Sequence, residues 1–289
     1  MPVALRLSFF RRLTRLTAEI SSLTLLNNTL DSALTGVARL SSVGILLSTG
    51  EYLALRHEFL PFGLFDWRIL SSNRRRKVTS RYVPQLLIGS GALPALLLRF
   101  AASLALFVLG FQRSAVGLLV LSVIGITTLF VNYRLRLGLD GSDQMLTLLS
   151  ITLWIASLGR TNTAISSLCL WFIAAQSCLA YLTSGMAKLA GRTWRSGKAV
   201  AEILSTSSYG HPFCARYLHP NSAFSKALCY STVAFEVLFP VVLVIGRPWV
   251  FLVLAGGLAL HLSIALAMGL NCFPWAFVAT YPALLYCAR

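Results

Sequence analysis

The sequence predicts an all-α, polytopic transmembrane bundle of about seven or eight spans with no sizeable soluble domain, and three observations predict it. The chain is 56% hydrophobic and only 12% charged, with a mean hydropathy of +0.74. Soluble domains carry roughly 25% charged residues, so this composition leaves no water-facing surface for a body of 289 residues. The apolar residues gather into stretches near the ~20 residues that a helix needs to cross about 30 Å of hydrocarbon. The 25 Lys and Arg, against nine Asp and Glu, give a net charge of +16 and sit mostly between those stretches, where they face headgroups or fix topology.

Residues 1–33 come first. Arg6, Arg11, Arg12 and Arg15 alternate with Leu5, Leu7, Phe9, Phe10 and Leu13, an amphipathic pattern rather than a cleavable signal. It predicts a basic segment lying on the membrane surface or partly disordered. A membrane domain over 34–289 follows. Its apolar stretches cover 34–55, 86–109, 115–133, 145–158, 164–189, 227–245, 249–268 and 272–287. The fourth is short and the last two are nearly contiguous, so seven or eight crossings fit and eight is the preferred reading.

Two intervals stand out as loops. The 56–82 interval holds Pro61, Phe62, Gly63, Phe65, Asp66 and Trp67, then the basic run Arg74-Arg75-Arg76-Lys77. The 190–226 interval is the main extramembrane loop, the one place with room for structure outside the bilayer. Positive charge is heavier on the face bearing these two loops, which the positive-inside rule assigns to the cytoplasm.

Several functions are disfavoured. A basic chain invites nucleic acid as a partner, but these charges are not interleaved with aromatics on a polar module, so none is expected. The six cysteines form no C-x-x-C pair, and four lie in apolar runs as buried thiols do. His211 and Cys214, followed by His219, have no second cluster to complete a zinc site, so no metal is expected. No nucleotide or haem motif is present.

The segment Tyr181-Leu182-Thr183-Ser184-Gly185-Met186-Ala187-Lys188-Leu189, followed by Trp194 and Gly197, resembles the signature of the HTTM and vitamin K-dependent γ-carboxylase-like membrane superfamily. Downstream, Glu236 and Pro240 are placed as that family's E-x-x-x-P, and His261-Leu262 with Met268-Gly269-Leu270 and Phe273 are similar to its late helix pair. Upstream, 138–149 resembles the Gly-Asp-rich entry to its fourth span. The resemblance covers roughly 34–287, with 181–197 its specific part. It implies that Lys188 is the base that deprotonates a lipid-soluble substrate, a reduced quinone acting with oxygen in the carboxylase branch. It points to the opposite membrane orientation from the charge rule, which leaves the topology open.

Residue-level physics is compatible with that role. An amine at the buried end of an apolar helix is poorly solvated in its charged form, the environment a general base requires. Tyr181, Ser184 and Lys188 fall at i, i+3 and i+7 and share one helical face. The alternative is that Lys188 snorkels to the headgroups. His261 and Glu236 lie well inside their spans and need partners, so Glu236 is expected to meet His261 or Lys188 across adjacent helices. An interhelical hydrogen bond that only fixes packing is the other reading. Arg39, Glu51 and Arg99 also interrupt apolar runs. Arg39 and Glu51 are over three turns apart, too far to pair with each other.

Two departures from the resemblance matter. The carboxylases carry an Asn-His pair near the fourth span, where this chain reads Leu139-Asp140-Gly141-Ser142-Asp143. They also carry a large extramembrane C-terminal region, whereas residue 289 here follows directly on the last span, so carboxylation of a protein is not expected. The expectation is an enzyme of the bacterial cytoplasmic membrane that transforms a quinone, isoprenoid or similar molecule by acid/base chemistry. Lys188, His261, Glu236 and Asp143 would be catalytic, with Tyr181, Ser184, Trp194, Glu51 and Asp66 lining the cavity. Membrane lipids would be its surroundings. The alternatives are an SdpB-like component of antimicrobial-peptide maturation or export, whose basic loops attract a peptide substrate, and a transporter.

Overall fold

The computed structural model describes residues 3–60, 62–66, 92–135, 139–160, 162–210, 216–246 and 248–288, with side chains from Thr29 onward. Trp67, the 74–77 basic run, Gly138, His211 and Cys214 lie outside the described residues. Among the described residues all regular structure is helical.

Helix α1 spans Val3–Ala54 without a break, so residue 34 is not a helix boundary. Its apolar window is Thr29–Ala54. Leu34, Val37, Ala38 and Ile45 on this helix are fully buried, because α1 runs through the middle of the bundle. Small residues let neighbours approach it. A Cβ on Gly36 would lie 2.8 Å from Pro282, and one on Gly44 would lie 3.0 Å from Leu146.

The next long helices along the chain are α2 (Ala92–Leu109), α3 (Ala115–Arg134), α4 (Gly141–Leu158) and α5 (Thr163–Ala190). Each of the last three starts where a polar side chain accepts the free amides of the first turn. Ser114 accepts from Gly117 N, and Asn162 accepts from Ala164 N and Ile165 N. Asp140 and Asp143 form a reciprocal capping box on α4.

After α5 come α6 (Arg192–Arg195) and α7 (Ala199–Leu204), two short helices inside the predicted 190–226 loop. Helix α8 (Ala223–Leu238) is capped by Ser222 and tightens into a 3-10 turn over Phe239–Leu243. Pro240 has no N–H to donate, so the α-helical ladder cannot continue through it. Helix α9 (Trp249–Met268) buries Val250, Leu254, Gly257 and His261, a spacing of one helical face, and stops at Gly269 in the left-handed conformation. The chain ends in α10 (Cys272–Val278) and α11 (Tyr281–Cys287).

Among the described residues six helices are long and apolar enough to cross a membrane: the Thr29–Ala54 part of α1, α2, α3, α5, α8 with its 3-10 extension, and α9. Of the eight predicted stretches, 145–158 and 272–287 are not among them. Large apolar side chains such as Leu97, Leu119, Ile126, Leu168 and Leu252 are exposed on these helices. That pattern is costly in water and natural against lipid tails.

Polar contacts mark the two ends of the bundle. At one end Arg113, in the α2–α3 turn, pairs with Asp31 at 2.7 Å and also donates to the Arg160 carbonyl. At the other end Asn271 donates to Glu51 at 3.2 Å, joining the α9–α10 turn to the end of α1. The Arg134 guanidinium, at the end of α3, donates to the Phe59 carbonyl there. The last turns of α5, with Lys188, face this second end.

Candidate functional site

The site begins with Gly185. Its missing side chain lets α8 approach α5 so closely that a Cβ there would lie 2.8 Å from Val237 N and 3.0 Å from Glu236 Cβ. One turn further along α5, Lys188 Nζ donates to both carboxylate oxygens of Glu236 at 2.7 Å and to Ser184 Oγ. Its Nζ also sits 5.3 Å from the centre of the Trp194 ring. The Glu236 side chain is 8% exposed and that of Lys188 is 21% exposed, so the lysine bends inward to its partner instead of extending to the headgroups.

Two turns before Lys188 on the same helix, Tyr181 is buried in an aromatic cluster. Its ring stacks on Phe239 at 3.7 Å between centroids and meets Phe277 edge-on. The Tyr181 hydroxyl and His261 Nε2 share a hydrogen bond of 2.8 Å. The imidazole stacks on Phe277 at 4.0 Å. Among the described residues, His261 Nδ1 has no hydrogen-bond partner, and the Tyr281 hydroxyl faces that of Tyr181. A Cβ on Gly257 would lie 2.7 Å from the Tyr281 hydroxyl and 2.9 Å from that of Tyr181, so this glycine leaves room for the two phenols to converge.

Beside the ion pair lies a cavity of about 390 Å³, whose walls include Lys188, Trp194, Thr232, Glu236, Leu260 and Phe273. Ile203, Leu228, Ile264 and Met268 make the rest of its surface largely apolar. A second groove of about 390 Å³ touches Lys188 and Trp194 from the other side, bounded by Leu189, Arg195, Tyr230 and Val237. A guest in the first cavity would meet the Lys188 amine, the Glu236 carboxylate and the hydroxyls of Thr232 and Ser263 against hydrocarbon walls. In such surroundings fixed charges act strongly, because little water screens them.

The structure divides the predicted residues into two groups. Lys188, Glu236, Ser184 and Trp194 come together at the cavity, and Tyr181 with His261 lies directly behind it. Of the two contacts expected for Glu236, the one to Lys188 is formed, while His261 bonds Tyr181 instead. Asp143, Glu51 and Asp66 do not line this cavity. Asp143 Oδ2 accepts from Asp140 N, Glu51 accepts from Asn271, and Asp66 accepts from Phe62 N.

Tyr281 and Thr232 were not singled out from sequence. Tyr281 lies in the short final stretch, where the only trace of its role is Gly257, one turn before His261 and cleared for two hydroxyls.

Comparison with known proteins gives no matching family model, no matching curated protein and no matching solved structure.

Proposed function

We propose that the chain is a membrane-embedded enzyme that transforms a lipid-soluble small molecule, a quinone or an isoprenoid, by acid/base chemistry at the Lys188–Glu236 pair. The carrying observation is that this pair, closed at 2.7 Å, borders an apolar cavity of about 390 Å³. The ordered 181–197 block adds the resemblance to the vitamin K-dependent γ-carboxylase-like superfamily. In this reading α4 and the α10–α11 pair are the seventh and eighth crossings, α4 with about 27 Å of helical rise, and the host is a bacterial cytoplasmic membrane.

The chemistry follows from the shared hydrogen bond. A proton moved from Nζ to a Glu236 oxygen leaves a neutral amine and a neutral acid, with no change in net charge. The amine then takes a proton from an acidic carbon or hydroxyl of the guest, and the resulting lysine ammonium stabilises the anion formed beside it. Glu236 returns a proton at the end. Ser184 holds Nζ in place, and Trp194 covers it.

The test is turnover of a lipid extract by the purified chain, followed by mass spectrometry. Lys188→Ala is expected to abolish turnover while the protein stays monodisperse in detergent. Retained turnover in that variant would overturn the reading.

A second reading is favoured by the exposed Arg192, Arg195 and Lys226 around the α6 turn. These would draw an acidic peptide to the same end of the bundle, as an SdpB-like maturation component requires. A peptide that co-purifies with wild type and is lost on charge reversal of these three residues would support it.

A further inference from the structure

Helix α2 presents Ala92, Leu96, Arg99, Ser103 and Leu106 as its buried face. Arg99 is 1% exposed, about 10 Å along the helix from its start. An arginine this near a helix end ordinarily extends its guanidinium to the headgroups, but this one turns into the protein. Among the described residues its Nε and Nη1 make no hydrogen bond, and neither does Ser103 Oγ, one turn deeper on the same face.

The chain's own carboxylates do not supply the missing acceptor. Of the nine Asp and Glu, Asp31 pairs with Arg113 and Glu236 with Lys188. Glu58 accepts from Leu64 N and Asp66 from Phe62 N. Glu51 accepts from Asn271, and Glu202 is exposed on α7. Tyr52 and Asp143 act on Arg99 through space, but a phenol carries no charge to pair with it and Asp143 is held with Asp140 in the α4 capping box. Glu19 precedes Glu51 by about 48 Å on the continuous α1.

A buried guanidinium without a hydrogen-bonded counter-ion is strongly destabilising. We infer that Arg99, with Ser103 beneath it, is an oxyanion-binding site that receives a carboxylate or phosphate group from outside the chain. The guanidinium's planar fork matches both groups in bidentate geometry, and the hydroxyl adds one donor. None of these side chains lines the Lys188 cavity, so the site stands independently of the proposed reaction. Two sources present this chemistry, the headgroup of an anionic lipid and a free organic or inorganic anion.

Thermal unfolding of the full chain in neutral detergent tests it. The probes are dioctanoyl phosphatidylglycerol, acetate and inorganic phosphate, with dioctanoylglycerol and chloride as controls. The expected result is a rise in Tm with at least one oxyanion and with neither control. A response to phosphatidylglycerol alone identifies a lipid headgroup, and a response to acetate or phosphate identifies a solute. Arg99→Met is expected to lose the shift while its Tm without probe equals or exceeds that of wild type, because an apolar side chain of similar length relieves the unpaired charge.

Absence of any shift in wild type would overturn the inference, as would equal shifts in wild type and Arg99→Met. So would equal losses of unliganded Tm in Arg99→Met, Asp143→Asn and the double variant, the signature of an internal ion pair. Should Arg99→Met not fold, Arg99→Lys decides, since it keeps the charge and loses the fork. A weakened or absent shift supports the site, and an unchanged shift removes it.

Discussion

Lys188 and Glu236 lie 48 residues apart in sequence and meet at 2.7 Å, tying α5 to α8 across the contact that Gly185 keeps open. Glu236 is almost wholly buried, and the pair borders the cavity. The same contact therefore fixes helix packing and sets the proposed acid/base pair beside the cavity.

Breaking one half of this pair leaves the other half buried and uncompensated. Lys188→Met alone is expected to destabilise the protein by about 3–5 kcal/mol, whereas Lys188→Met combined with Glu236→Leu recovers most of that loss. Thermal unfolding in detergent of the two single variants and the double variant checks this. Strict additivity of the two losses would show that the residues are not coupled.

Gly185 sets the distance between the helices. Gly185→Val puts its Cβ within 3.0 Å of α8 backbone and side-chain atoms, and the overpacking is expected to cost about 1–3 kcal/mol. Because the shift pulls Glu236 away from Nζ, turnover should fall further than Tm suggests. An activity assay at a temperature where the variant remains folded separates the two effects.

Tyr181→Phe keeps the stack on Phe239 and removes the hydroxyl bonded to His261. The imidazole then has neither ring nitrogen partnered among the described residues, and the expected loss is about 1–3 kcal/mol. The histidine's NMR line should be broader than in wild type as the ring loses its single orientation. An unchanged line would mean that the phenol does not hold it.

Filling the cavity distinguishes chemistry from packing. Ala267 lines it and is only partly buried, so Ala267→Trp is expected to occupy the guest's volume with a Tm change under about 1 kcal/mol equivalent. Turnover should be lost all the same. Full activity in this variant would place the reaction elsewhere.

The helical class and the apolar segments were legible in the sequence because hydrophobic length is a local property. The caps at Asp140, Asn162 and Ser222 lie two to five residues before the apolar stretches they open, because a capping side chain is polar and hydrophobic length alone does not reach it. Glu236 and His261 could be singled out because polar groups inside oily helices require partners, and Lys188 and Tyr181 through the ordered 181–197 block.

Which partner each one takes is a different matter. Glu236 bonds Lys188 and His261 bonds Tyr181 because glycines at 185 and 257 decide how closely α8 and α9 approach the neighbouring tyrosines and α5. Asp143 reads as a candidate acid and is instead engaged in starting its own helix. Arg99 reads as one more interruption of an apolar run, and only packing reveals that its guanidinium is turned inward without a hydrogen bond among the described residues. The sequence by itself determined that lipid would solvate these helices and that their polar residues would need one another. The pairing was decided by the tertiary structure, because contact across helices depends on how closely and at what rotation they pack, which no single segment encodes.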